Sequence, residues 1–287
     1  MFGKRYDGKV VKKMPPIQRI MPYIMKTRTD SMNMYEEFFP TEGMDAYIKK
    51  KSAEGLKLSY MHIVIAAMVR LLATRPQLNR FVMNGKIYSR PKIWVSFVVH
   101  HELRSDDDGG GTTIKLCFDG TENITDITEK INEAVKKETT KSTAGNSTDK
   151  LVDLIMSIPG WLIAFVVNVL MWMDKHSIMP KAVIEASPFH TSLFITNLKS
   201  LGINHIFHHT YEFGTTGLFV AIGKEKREPV VENGEIVMKK TMGFGLVSDE
   251  RFCDGLYFAK SLRIMRKLIR HPELLEERLE KTVEDNV

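Results

Sequence analysis

Cysteine is scarce in this 287-residue chain: Cys117 and Cys253 stand far apart, without a CxxC pair or Cys/His ligand spacing. That pattern excludes a disulfide framework and a zinc site, and it points to a reduced, cytoplasmic protein with no metal. The first residues are basic but lack the apolar stretch of a signal peptide. The acidic run Asp106-Asp107-Asp108-Gly109-Gly110-Gly111 has neither the alternating ligands of an EF-hand nor the Lys-Ser/Thr of a P-loop, so it reads as a hairpin turn. Basic residues are present, but no nucleic-acid motif with interleaved aromatics accompanies them, and no nucleic-acid partner is expected.

What is present is an ordinary globular balance, 43% hydrophobic and 26% charged, enough for one large core in a single unit spanning 1–287. The net charge of +6 is uneven. Residues 1–28 hold Lys4, Arg5, Lys9, Lys12, Lys13, Arg19, Lys26 and Arg28 against the single acid Asp7. Residues 1–13 form a basic arm, and 276–287 an acidic tail. Such an arm binds nucleic acid or anionic lipid, or is simply a solvated tail packing on an acidic neighbour.

Leu154–Met173 is an apolar insertion of twenty residues without a charge. Pro159-Gly160 interrupts it, and the remainder, Trp161–Met173, is too short to cross about 30 Å of hydrocarbon as a helix. Three readings stay open: a buried subunit contact, a wall around an apolar acyl group, or an element lying at a membrane surface.

Ser59 is placed to cap a nearly all-apolar helix that Pro76 stops, with His62 as a packed core histidine. Ile93–Val99 and Thr113–Phe118 read as strands, Ile124–Glu138 as an amphipathic helix, and Thr139–Thr148 as a mobile loop. Thr191–Thr196, Gly217–Ile222 and Met242–Ser248 are strand-like. Asn233-Gly234 marks a hairpin between Val230–Val231 and Glu235–Lys239. A helix follows Gly255, with Phe258, Leu262, Met265 and Ile269 on one stripe. Alternating strands and helices with hairpins among them predict an α/β (α+β) fold, a mixed sheet with helices packed on it.

Residues 249–255, Asp-Glu-Arg-Phe-Cys-Asp-Gly, resemble the Asp-His-Arg-x-x-Asp-Gly signature of the acyltransferase core of 2-oxoacid dehydrogenase complexes, shared as His-x-x-x-Asp-Gly with chloramphenicol acetyltransferase. Further matches follow in order. Met14–Ile48 is similar to the opening helix and strand, and Leu58–Phe81 to the buried helix with its Pro-x-x-Asn tail. Phe194–Leu198 is similar to Thr-Ile-Ser-Asn-Leu, and Gly217–Lys224 with Glu228-Pro229-Val230 to a later strand. His271–Leu275 is similar to Asp-Pro-Glu-Leu-Leu. The resemblance implies a chloramphenicol-acetyltransferase-like two-layer sandwich and a homotrimer with sites between subunits, able to assemble further into cages. It also implies coenzyme A as acyl carrier. No lipoyl or peripheral-subunit-binding pattern is present.

The resemblance further implies a catalytic base at Glu250, where the family keeps histidine, and an oxyanion donor at Thr196 from the neighbouring subunit. Asp254 then orders the site, with Arg251, Gly255 and Asn197 in support. Asp254 also fits a helix N-cap, Arg251 a carboxylate partner, and Gly255 a tight strand-to-helix turn. Glu, with a reference pKa of about 4.3 against about 8.5 for a thiol, is a weak base unless burial raises it. His208 and His209 are candidate alternative bases, and His100 and His101 lie at the end of a nearby strand. Two functions stand side by side: a coenzyme-A-dependent acyltransferase, or a degenerate relative serving as oligomeric scaffold or acyl-CoA-binding module.

Overall fold

The computed structural model describes residues 4–100, 111–143 and 158–287. Its centre is a six-stranded mixed sheet in the order β2-β9-β8-β7-β5-β6. These strands are β2 (Met32–Pro40), β5 (Ile93–His100), β6 (Gly111–Phe118), β7 (Leu193–Asn197), β8 (Leu218–Glu232) and β9 (Glu235–Asp249). β7 runs parallel to both β5 and β8, and the other pairs are antiparallel. A smaller antiparallel sheet joins β1 (Lys9–Val10), β4 (Lys86–Ser89) and β3 (Arg80–Met83).

The expected hairpin at Asn233-Gly234 is there, with φ of 53° and 86°. Two successive left-handed residues match the twist of the strands they join. Its arms extend much further than expected, because β8 and β9 each run fifteen residues across one bulge near Ile222. The sequence read Met242–Ser248 as a separate strand; it is the second half of β9.

Helices cover one face of the sheet. α3 (Tyr60–Thr74) is buried nearly all round, as its composition requires. It packs with α2 (Glu42–Ala53), α4 (Ile124–Thr143) and α7 (Gly255–Arg270) over inward side chains including Phe97, Ile195, Val220, Phe244 and Leu246. His62 is not simply packed in the core. It closes a capping box, its Nδ1 accepting the Ser59 N–H at 3.0 Å while Nε2 meets Asn132 Oδ1 at 3.1 Å. α4 overruns the loop expected from Thr139, since nothing before Gly145 breaks a helix and Lys and Glu favour one. Residues 144–148 and the acidic turn 106–110 lie outside the described residues.

The opposite face carries a small cluster of Phe194, Phe219 and Val247. Residues 203–211 cross it as a strap, anchored where the Lys224 N–H donates to the Ile203 carbonyl at 2.9 Å. Gly243 and Gly245 make room for it: a Cβ on the first would collide with the His205 ring, on the second with the Ile206 carbonyl. The basic arm and the acidic tail are each tied to the body by a buried ion pair, while Lys9, Lys12 and Lys13 stay exposed. Buried Arg5 pairs with Asp7 and Asp174, and Asp285 accepts from buried Arg80 Nε at 2.7 Å.

Candidate active site

β9 ends at Asp249, and α7 begins at Gly255; the turn between them is pinned from both sides. The Asp249 N–H donates to the Gly217 carbonyl at 3.1 Å, and the Glu250 N–H to the Ser31 carbonyl at 2.8 Å. Arg251 folds back on Asp249, and both side chains are buried. Asp254 caps α7 by accepting the Tyr257 N–H at 2.8 Å, and its other oxygen accepts from Gln18 Nε2 at 3.0 Å. Cys253 is buried, and burial pushes its thiol up to about 12, so it is an inert core side chain.

Two of the three carboxylates in this turn are therefore committed. Glu250 is half-buried, and its carboxylate has no hydrogen-bond or ion-pair partner among the described residues. Gly255 departs from expectation. It is the first helical residue, its φ is not positive, and an added Cβ would meet nothing within 4 Å. The chain reversal is made by residues 250–254, so glycine is not needed at 255 to form it.

Thr196 and Asn197 end β7. Thr196 shares the strap face with Phe194, by the two-residue period of the strand. It is half-buried, with no partner for its hydroxyl among the described residues, whereas the Asn197 Oδ1 is buried and unpaired. Thr196 aligns with Ala221 on β8, which aligns with Gly245 on β9. Glu250 is five residues beyond Gly245, which puts it roughly 17 Å further along the sheet. One chain does not bring the two together.

His208 lies closer to Thr196. Its ring stacks flat on Phe219, 4.2 Å between centroids and 4° between planes. Phe219 pairs with Phe194, one pleat from the Thr196–Ala221 pair. Burial lowers the His208 pKa, which favours the neutral, proton-accepting imidazole near pH 7. His209 is exposed and sits edge-on to Tyr211. The His100 backbone ends β5; its side chain and His101 lie outside the described residues.

Beside the signature turn is a cleft of about 660 Å³ that sequence reasoning missed. Arg28 and Arg251 are at its base, and its walls include Tyr23, Val82 and Trp172. Arg28 is buried and donates to the carbonyls of Tyr211 and Glu212, at 3.2 and 2.8 Å. Its place in a run of cations disguised it as a surface charge. The apolar segment supplies one wall. It forms α5 (Gly160–Lys175), opened by Pro159 at the N-cap, with Asn168, Met171 and Trp172 facing the cleft. Residues 154–157 lie outside the described residues. Among the described residues no helix is long and apolar enough to cross a membrane, and no group of three or more His, Cys, Asp or Glu could hold a metal ion.

A mixed sheet with helices on one face, and a strand-turn-helix signature at the end of an interior strand, is the architecture of the chloramphenicol-acetyltransferase-like fold. The cubic core of the pyruvate dehydrogenase multienzyme complex superposes with a TM-score of 0.57, at 13% identity over 92% of this chain and 93% of that one. Chloramphenicol acetyltransferase superposes with a TM-score of 0.53, at 8% identity over 91% and 99%.

In sequence, residues 192–276 match the model of the family "2-oxoacid dehydrogenases acyltransferase (catalytic domain)". The chain is 24% identical over 222 residues to the dihydrolipoyllysine-residue acetyltransferase component of the acetoin cleaving system of Bacillus subtilis (strain 168), covering 77% of this chain. It spans 44% of that relative's length. The resemblance read from the signature thus extends through the fold, and it is to the catalytic core of these acyltransferases.

Proposed function

We propose that this protein is a coenzyme-A-dependent acyltransferase that moves an acyl group between a CoA thioester and a thiol or related acceptor. The observation that carries the reading is the uncommitted carboxylate of Glu250, held on a turn whose other two acids are already bound to Arg251 and to the α7 N-terminus. In this mechanism Glu250 takes the proton of the attacking thiol. The thiolate adds to the thioester carbonyl, and the oxyanion is met by the Thr196 hydroxyl. Collapse expels the CoA thiolate, which recovers the proton, so base and donor end as they began.

Because Thr196 and Glu250 are far apart in one chain, the site is completed by a second copy, in keeping with a homotrimer. His208, neutral and on the Thr196 face, is the alternative base. The cleft over Arg28 and Arg251 is the wall for the acyl carrier, its apolar side chains facing the acyl part and the exposed Lys26 and Lys175 at its rim facing the anionic part.

The test is release of free CoA from acetyl-CoA and longer acyl-CoAs in the presence of dihydrolipoamide or another small thiol. Release above the protein-free blank is expected. A rate equal to the blank with every acyl chain would overturn the enzymatic reading and leave an oligomeric scaffold.

A further inference from the structure

Two helices leave large apolar side chains in water on the same side of the molecule. α1 (Pro16–Ile24) turns Gln18 toward the signature turn and Pro22 inward, while Ile17, Ile20, Tyr23 and Ile24 stay exposed, Ile17 at 66%. α5 has no charged residue before Asp174, and only Leu162, Ile163, Leu170 and Met173 of its apolar stretch up to Met173 are partly covered. Its outer stripe is Trp161, Phe165, Asn168 and Trp172, with Trp161 at 73% exposure. Both helices line the same cleft, Tyr23 from one and Trp172 from the other, so the two apolar surfaces adjoin. A patch of this kind on a folded protein calls for a partner.

The charge around it says which partner. Residues 8–29 contain no acid, and the exposed cations Lys12, Lys13, Arg19 and Lys26 surround α1, with Lys175 at the end of α5. A two-fold contact between copies would press these cations against their own counterparts, and a heterologous one would need an acidic face on the neighbouring copy opposite them. An anionic lipid surface instead satisfies both features, taking the indole and isoleucine side chains below the headgroups and the cations among them. α5, at sixteen residues or about 24 Å, is too short to span the bilayer and would lie along it.

We propose that the α1–α5 face docks on an anionic membrane surface. The face shares Tyr23 and Trp172 with the cleft given to the acyl carrier, but flotation is read without acyl transfer, so the two readings fail separately.

The experiment is flotation of the full chain with phosphatidylcholine vesicles, with and without phosphatidylglycerol. It is run beside light scattering of the lipid-free protein. The expected result is flotation only with the anionic vesicles, weakened by salt. Reversing Lys12, Lys13 and Arg19 to Glu should weaken it by on the order of a hundredfold. The Trp161→Ser/Trp172→Ser variant should also lose flotation, with unchanged mass in lipid-free solution and an unchanged circular dichroism melt. Protein that stays at the bottom with both vesicle types overturns the proposal, as does binding indifferent to lipid charge. A drop in lipid-free mass on Trp161→Ser/Trp172→Ser also overturns it, since a second copy of this chain would then be the cover.

Discussion

Arg251 grips Asp249 with two parallel hydrogen bonds, Nε to Oδ1 at 2.9 Å and Nη2 to Oδ2 at 2.6 Å, with both side chains buried. The pair locks the turn that presents Glu250. Because each partner is desolvated, removing one strands a buried charge. Arg251→Leu or Asp249→Asn should each destabilise the protein by about 3–5 kcal/mol in urea unfolding. A loss below about 1 kcal/mol, the level of an exposed pair, would mean the turn does not depend on it.

Lys115 gives a pH signature at the alkaline end of the range, far from the window of acid unfolding. Burial, reinforced by the charge of Arg90, pushes its ammonium down to about 8, while its Nζ donates to the Ser187 carbonyl at 2.9 Å. Between about pH 8 and the unfolded value of about 10.4, the unfolded chain holds a proton that the folded one has released. Stability contributed at this site therefore rises with pH across that window. Lys115→Met should flatten the rise in a series of urea midpoints; an identical rise in the variant would assign it elsewhere.

The Asn233-Gly234 turn is a smaller test of how the long hairpin is held. Gly234 has φ of 86°, which a β-branched residue adopts only with strain. Gly234→Val should cost about 1–2 kcal/mol in the same assay, with no change at the distant signature turn. No measurable loss would mean the hairpin tip tolerates another turn type.

Glu250 is the position where base strength can be tuned. Installing imidazole raises the reference pKa of the base by about two units. With a proton transfer about half complete in the transition state, Glu250→His should raise the rate of CoA release about tenfold. Glu250→Gln should lower it toward the blank. If Glu250→Gln is fully active while His208→Ala is dead, the base is His208.

The parts of this architecture legible in the sequence were those encoded locally. α3 declares itself through its unbroken apolar run between Ser59 and Pro76, and the hairpin through Asn233-Gly234. Asp254 was readable both as a helix cap and as part of the signature, and it does cap α7. What stayed hidden depends on partners distant in the chain. Arg28 and Arg5 look like surface cations until the carbonyls of Tyr211 and Glu212 and the carboxylate of Asp174 meet them. The strap over Gly243 and Gly245 has no local pattern; two strand glycines show only that a backbone passes close by. His62 acts as a cap because it sits at the third helical position, where glutamate or glutamine is the familiar choice.

The most direct check on the proposed site is subunit complementation. Chains carrying Thr196→Ala and Glu250→Gln are denatured together, refolded as a mixture, and assayed for CoA release from acetyl-CoA. If the hydroxyl of one copy serves the carboxylate of another, mixed assemblies contain intact sites and the mixture regains activity that neither variant has alone. A mixture no more active than its two components would contradict a site shared between copies.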